Sequence, residues 1–374
     1  MANISTLGAS LDQISRLKVQ QSSLDMLTTQ LASGKKTQSF SGLGLDVLQS
    51  KRARANIGSL ETYINNIKNT DRRINLMNNG IKDVKAQAQT ILDSLYVSVQ
   101  QGDFPDFQTI KDLGKNVINF INDVINDKDG ERYLFAGADS STKPLSDTGL
   151  FDSFLGEFLP DETDLTNPPL VASGVIGDWG DGTITNEEFI ASYRATSDTV
   201  IGYSPSLTNN TAGSVYVRVD DNSEYDYTVL ANNPGFREIL ISLNVLNALP
   251  PPEFAPGALN DPTATTLPGD TAPFPPEEKQ ENFFAIVNDL TNLLSNAIDK
   301  LDQETFKLSQ TQAQITRIKQ SHTEQLNALT SIVSEVEDVD LTDVATKINQ
   351  LQITLEASFR VTALVSELTL ARFI

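Results

Sequence analysis

The sequence contains no cysteine, which excludes disulfides, thiolate nucleophiles and zinc–thiolate sites together. It contains one histidine, His322. A Ser-His-Asp arrangement would have to use it, and a metal site built from several imidazoles is ruled out. Basic residues are scarce beside acidic ones: 28 Lys and Arg against 49 Asp and Glu give a formal charge of −21. Gripping a phosphate backbone needs clustered cations, so nucleic acid is not an expected partner. No stretch approaches the roughly 20 consecutive apolar residues that span a bilayer, so no membrane association is expected. The opening Met1-Ala2-Asn3-Ile4-Ser5-Thr6 lacks a basic segment followed by an apolar one. The expectation is a chain that stays in the cytosol or leaves by a route that reads no Sec signal. No glycine-rich phosphate loop, nucleophile elbow or paired-carboxylate motif stands out, and neither catalysis nor a cofactor is expected.

Proline is missing from most of the chain. Of 16 prolines in 374 residues, 15 lie between Pro144 and Pro276, leaving only Pro105 outside. Proline removes a backbone donor and clashes with the preceding helical turn, so long helices are confined to the flanks. The acidic surplus is also concentrated in the middle: residues 141–280 hold 21 Asp and Glu against 5 Lys and Arg. An acidic stretch of this kind reads as a solvated, self-repelling exterior.

The flanks carry helical periodicity. From Ile4 to Ala32, Leu7, Leu11, Ile14, Leu17, Leu24 and Leu31 recur at helical spacing, and Gly34 is placed to end the helix. Ser39-Phe40-Ser41-Gly42-Leu43-Gly44 then reads as a loop. From Asp46 to Gln100, Leu60, Ile67, Ile74, Ile81, Ala88 and Leu95 fall every seven residues beside a second row of Ile57, Ile64, Met77, Val84 and Ile91. This is a coiled-coil-like seam. A shorter helix is expected from Phe107 to Asn126, followed by extended chain over Gly130 to Gly137. The second arm repeats the device in Leu294, Leu301, Leu308, Ile315, His322, Leu329 and Val336. Its polar partner positions suggest packing against several neighbours. After a break at Glu337-Asp338-Val339-Asp340, a last helix from Leu341 to about Thr369 places Leu341, Val344, Ile348, Leu351 and Leu355 on one face.

The middle is mixed. Val215 to Val219 and Tyr225 to Val229 read as a hairpin about Asp220-Asp221-Asn222-Ser223. Pro234-Gly235 opens a short helix, and residues 250–276, with nine prolines, read as a linker. Asp181-Gly182-Thr183-Ile184-Thr185-Asn186-Glu187-Glu188 resembles the second half of a calcium loop. Asp181 and Glu188 are its candidate ligands, but the first and third positions would be Gly177 and Trp179, which offer no side-chain oxygen. An acidic turn is the favoured reading and no metal is expected. His322 reads as a packing residue within the seam, and Lys51-Arg52-Ala53-Arg54 as a subunit contact or a solvated face.

The expected fold is mainly α: a long coiled-coil-like helical bundle formed by both chain ends, with an inserted mixed α/β, β-rich central domain. The expected divisions are 1–40 with 340–374 as a terminal helical core, 41–140 with 280–339 as a long-helix rod, and 141–279 as an acidic, proline-rich insert. An apolar stripe must be covered, and the economical pairing sets the first helix against the last and the long helices against each other. Periodicity alone leaves open a bundle closed within one chain or one completed by other copies. Two lone terminal helices bury little, which favours completion by neighbours. The candidate assembly residues are Leu7, Leu11, Ile14, Leu24 and Leu31 at one end and Ile348, Leu351, Leu355 and Leu368 at the other.

The arms, 1–140 and 280–374, resemble the flagellin superfamily. Leu24-Asp25-Met26-Leu27-Thr28-Thr29-Gln30-Leu31-Ala32-Ser33-Gly34-Lys35-Lys36 is similar to the family's helix-to-turn segment. Thr354-Leu355-Glu356-Ala357-Ser358-Phe359 and Ser366-Glu367-Leu368-Thr369-Leu370 look more like the member that joins hook to filament than like flagellin proper. Gly130 to Gly137 and Pro234 to Leu240 point the same way. The acidic step usual after the family's first turn is replaced by Ser39 to Gly44, and the insert is longer than in a minimal junction protein. The resemblance implies a homo-oligomer of the bacterial flagellum, exported through the flagellar type III apparatus with the help of a chaperone. Its implied partners are other axial proteins, a hook-side junction protein and flagellin. Two alternatives stay open: a flagellin forming the filament itself, and a flagellin-like surface protein whose insert binds a ligand.

Overall fold

A computed structural model describes residues 2–101, 107–146, 149–156, 158–159, 171–180, 183–250 and 276–371. Among them are eleven α-helices, one 3-10 segment and three two-stranded antiparallel pairs. The fold is mainly α, with the helices of the two chain ends packed on each other, as the periodicities predict. Contacts divide the chain into two compact units, Met1–Ile64 with Gln320–Ile374, and Asn65–Lys319.

The first unit contains α1 (Ala2–Ser33), a 3-10 segment (Phe40–Asp46), the start of α2 (Val47–Gln101), the end of α10 (Pro276–Glu337) and α11 (Leu341–Ala371). Helix α1 stops where Gly34 takes a left-handed conformation, φ +69°, and donates its N–H to the Gln30 carbonyl at 2.8 Å. A residue with a Cβ is strained there, so Gly34 sets the end of the helix. Helix α11 starts on Asp340, whose carboxylate accepts the N–H groups of Thr342 at 2.8 Å and Asp343 at 3.3 Å. This satisfies donors that a helix N-terminus otherwise leaves orphaned. Helices α1 and α11 pack along each other. They run antiparallel, because Lys35 bridges Asp338 at one end and the Gln13 amide donates to Thr362 Oγ1 at 2.8 Å further along. In the adjoining ends of α2 and α10, His322 is buried with its ring centroid 5.9 Å from that of Tyr63. The packing role expected for this histidine is the one the fold gives it.

The second unit is built on the remaining lengths of α2 and α10 with α3 (Phe107–Ile125), and the heptad residues are its centre. Ile67, Ile74, Ile81, Ala88 and Leu95 of α2 are fully buried, as are Leu294, Leu301, Leu308 and Ile315 of α10. Gln312 fixes the alignment of the two helices by donating to Asp71 at 2.7 Å and Asn75 at 3.0 Å, and Lys85 pairs with Asp302. After α3 comes the hairpin of β1 (Lys128–Asp129) and β2 (Arg132–Tyr133), turned by Gly130. The insert continues with α4 (Gly149–Leu155), the pair β3 (Phe158–Leu159) and β4 (Val171–Ala172), and α5 (Gly174–Gly180). It then runs through α6 (Asn186–Arg194), α7 (Asp198–Ile201) and α8 (Pro205–Thr208). The hairpin of β5 (Tyr216–Asp220) and β6 (Ser223–Asp226) pairs Tyr216 with Asp226 and Val217 with Tyr225. Val217 and Val219 point inward while Tyr216 and Arg218 face out, the alternation a half-buried strand requires.

Helix α9 (Pro234–Ala248) closes this unit. Pro234 occupies its first turn, and Asn233 caps it by accepting the Gly235 N–H at 2.9 Å. A Cβ on Gly235 would lie 2.7 Å from Leu301 Cδ2 and 3.1 Å from the Ala297 carbonyl. The close approach of α9 to α10 therefore depends on glycine, and Lys300 adds a pair with both oxygens of Glu238 at 2.5 and 2.6 Å. The insert is mixed α and β, but among its described residues helix outweighs strand. The β-rich emphasis of the sequence reading is corrected on that point: short helices such as α6 and α7 are set by the local caps of Thr185 and Ser197, which the proline-broken periodicity of the segment conceals. The proline-dense linker expected at 250–276 lies almost wholly outside the described residues.

Candidate assembly surface

Helix α1 turns one side to α11. Gln13, Leu17, Gln20, Leu24, Leu27 and Gln30 recur every three or four residues and are half-buried along this side. On α11 the matching row is Val344, Ile348, Leu351, Leu355, Ser358 and Thr362, spaced four and three in alternation, with Val344, Ile348 and Leu355 buried. This is the a/d rhythm of a two-helix seam.

Both helices carry further apolar residues that the pairing leaves in water. On α1, Leu11, Ile14, Val19 and Met26 are exposed, Leu11 at 59%. By the 100° step of an α-helix they lie around the side away from the seam. On α11, Ile353, Val361 and Leu364 do the same, Ile353 at 69%. An isolated exposed leucine is ordinary, but here several exposed apolar residues stand on both members of one pair. A helix apolar on opposite sides has more than one surface to cover.

The nine residues singled out from the sequence thus divide. Leu24, Ile348, Leu351 and Leu355 form the seam within the chain. Leu11 and Ile14 face out, and Leu31, at the edge of the seam, is exposed. Leu7 and Leu368 lie in α1 and α11, but their side chains are outside the described residues.

Where the terminal pair meets the ends of α2 and α10, a polar cluster closes the two chain breaks. Lys36 N–H donates to the Glu337 carbonyl at 2.7 Å and Val339 N–H to the Gly34 carbonyl at 3.0 Å, flanking the Lys35–Asp338 bridge. The buried Glu337 carboxylate accepts Ser50 Oγ at 2.5 Å and both prongs of the Arg54 guanidinium, Nε at 2.7 Å and a terminal nitrogen at 2.5 Å. Lys35 Nζ reaches Asp338 at 2.5 Å and Glu337 at 3.5 Å. The Arg54 contact holds the Glu337 carboxyl down at about 2, with Ser50 and Lys35 acting in the same direction and burial opposing them. Lys35 in turn lowers the Asp338 carboxyl, and the ammonium of Lys35 is raised by Asp338. The basic cluster at 51–54 is legible in the sequence, and Arg54 within it proves to be an internal ion-pair partner. Nothing in the sequence links Arg54 to a carboxylate so far along the chain.

The calcium-loop candidates resolve differently. Glu188 is the third residue of α6, and its carboxylate accepts the Thr185 N–H at 2.9 Å while Thr185 Oγ1 accepts the Glu188 N–H at 3.2 Å. This reciprocal capping box occupies the side chain in starting a helix. The Ser/Thr-x-x-Glu spacing at 185–188 is the signal that finds it. Asp181 lies outside the described residues. Trp179, in what would be a ligand position, is buried, stacks on Phe189 with centroids 5.2 Å apart and donates its indole N–H to Asn186 at 2.7 Å. Among the described residues no cluster of three or more His, Asp or Glu could hold a metal ion, and no helix is long and apolar enough to cross a membrane.

No family model matches the sequence, and no curated protein matches it. Among solved structures, the chain is similar to a protein of Vibrio parahaemolyticus described provisionally as a flagellar hook-associated protein. The identity is 12%, the TM-score 0.48, and the match covers 79% of this chain and 100% of that one.

Proposed function

We propose that this chain is a non-enzymatic structural subunit of the bacterial flagellum that joins hook to filament by packing its terminal helices against identical and related subunits. The observation that supports this reading is the second apolar row on each member of the terminal pair. Burying Leu11, Ile14, Val19, Ile353 and Leu364 against other helices removes apolar surface from water, at roughly 25 cal/mol per Å². That gain drives association, and closed or helical symmetry multiplies it. The sequence resemblance of both arms to the flagellin superfamily supplies the setting. Residues 1–40 with 340–374 serve assembly, 41–140 with 280–339 form the long-helix section, and 141–279 is the acidic insert. The partners are further copies, a hook-side junction protein and flagellin, with a chaperone before export, and the location is the extracellular flagellum reached without a Sec signal. Nucleic acid and membrane have no part in it.

A deletion strain viewed by electron microscopy tests this. Bare hooks with filament protein shed into the medium are expected, restored by the wild-type gene and not by one encoding Ile353→Asp. Intact filaments in the deletion strain would sink the reading. Loss of the filament through loss of its bulk subunit, present in thousands of copies in sheared filaments, would point to a flagellin instead.

A further inference from the structure

The seam between α1 and α11 makes the two helices pair, but apolar contact is non-directional and does not by itself set the angle at which the pair leaves the ends of α2 and α10 in the same unit. That angle is decided at the two chain breaks, residues 34–39 and 338–340, which lie side by side through the Lys35–Asp338 bridge. We infer that Ser50, Arg54, Lys35 and Asp338, gathered on and beside the Glu337 carboxylate, form a clasp that fixes the orientation of the terminal helix pair against the adjoining ends of α2 and α10.

Three features carry this. The carboxylate is gripped from separate elements: Ser50 and Arg54 reach it from α2, Lys35 from the connection after α1, and it belongs to the last turn of α10. Its acceptors are used by directional donors, including the two-pronged guanidinium, whose planar fork tolerates little rotation. Glu337 is 6% exposed, whereas the Lys35 and Arg54 side chains are 40% and 47% exposed. Burying one carboxylate beneath two partly solvated cations adds little stability over an apolar residue of the same size. What it supplies is a single geometry: Ser50 and Arg54 fix the last turn of α10 on α2, and Lys35, held by Glu337 and Asp338, ties the connection after α1 to that turn, so another angle of the terminal pair would break the Lys35 contacts. The backbone joins in, with Lys36 N–H on the Glu337 carbonyl and Val339 N–H on that of Gly34. The consequence for assembly, a terminal pair presented at one angle to the next subunit, rests on the function proposed above. The orientation itself does not.

Because the chain lacks cysteine, two cysteines can be introduced cleanly in the full-length protein, at the exposed Ser22 of α1 and Glu61 of α2, and labelled with nitroxides. Pulsed dipolar spectroscopy then reads the distance between them. A single narrow distribution is expected in the parent and in the control Glu335→Gln, with at least a two-fold broadening in Glu337→Gln at unchanged helical content. Should Glu337→Gln lose helix, Arg54→Lys, which keeps the charge and loses the fork, decides by the same broadening. A parent as broad as the variants, or a variant as narrow as the parent, overturns the clasp. Narrow distributions in a parent that never enters the flagellum would leave the clasp standing and remove the assembly reading.

Discussion

Arg54 and Glu337, 283 positions apart in sequence, meet in a two-pronged contact of 2.7 and 2.5 Å at the point where α10 ends. Ser50, one turn before Arg54, donates to the same oxygen as Arg54 Nε. Two residues of one helical face thus hold the end of another helix through a carboxylate that water scarcely reaches.

The first prediction concerns what removing that carboxylate's charge costs. Glu337→Gln keeps the shape but leaves Arg54 without its ionic partner, and because Arg54 is partly solvated it can turn to water. A loss of about 1.5–3 kcal/mol is expected, the range for a hydrogen bond to a charged group. Hydrogen exchange resolved by peptide should locate it in residues 34–64 and 320–364. Protection of α3 and α9 should stay as in the parent. Equal loss in those helices would contradict a local role.

Acid should reproduce the effect. Glu337 titrates at about 2 in the folded chain, below the ordinary 4.5 of its kind, and Asp338 is also lowered. The folded state thus binds these protons less readily than the unfolded one. The stabilisation is fully present above about 4.5 and is lost as the pH falls through about 2. Exchange protection at the chain breaks should therefore decline between those values in the parent. Glu337→Gln should lose the larger part of that slope and keep a smaller one from Asp338; an unchanged slope would count against the assignment.

The seams were legible because burial of one helical face imposes a period, and a period can be read without knowing the partner. Ile67, Ile74, Ile81 and Leu294, Leu301, Leu308 fall in the core for that reason. Gly34 and Pro234 were legible as well, since backbone conformation ties each to a helix boundary. Glu337 was not, because an ion pair leaves no periodic trace and its partners lie on other elements. The two faces of α1 and α11 were read as one. Leu11 and Ile14 precede Leu24 by 13 and 10 residues, which at about 100° per residue sets them roughly 140° and 80° around the helix from it, so apolar residues recurring a few positions apart were gathered into one face although they belong to two. In the insert, short helices such as α6 are fixed by caps such as Thr185 with Glu188, which span too few residues to show a period.

The apolar rows can be separated by mutation, and the sole tryptophan makes the separation measurable. Trp179 is buried in the second unit, so its fluorescence follows that unit alone. Ile348→Asp places a charge in the seam, where Ile348 is 7% exposed, and should cost several kcal/mol and unpair α1 from α11. Leu351→Asp should act in the same direction, less strongly, since Leu351 is half-buried. Both should leave the Trp179 unfolding transition in place while blocking incorporation. Ile353→Asp, on the outer side, should leave far-ultraviolet circular dichroism and the Trp179 transition within about 0.5 kcal/mol of the parent and still block incorporation. Normal motility with Ile353→Asp would remove the outer row from the assembly surface.

The Thr185–Glu188 capping box yields the last prediction, which bears on the calcium-loop resemblance. Thr185→Ala removes the acceptor for the Glu188 N–H and should destabilise α6 by about 1 kcal/mol. Glu188→Gln keeps an oxygen able to accept the Thr185 N–H and should cost less. If the carboxylate serves only the cap, calorimetry of the parent with millimolar calcium should give no heat, and calcium should not move the Trp179 transition in either variant. The indole of Trp179 stacks on Phe189, the residue after Glu188, so an ion held by Glu188 would perturb its emission. A calcium-dependent shift abolished by Glu188→Gln would therefore assign the carboxylate to an ion and not to the helix it caps.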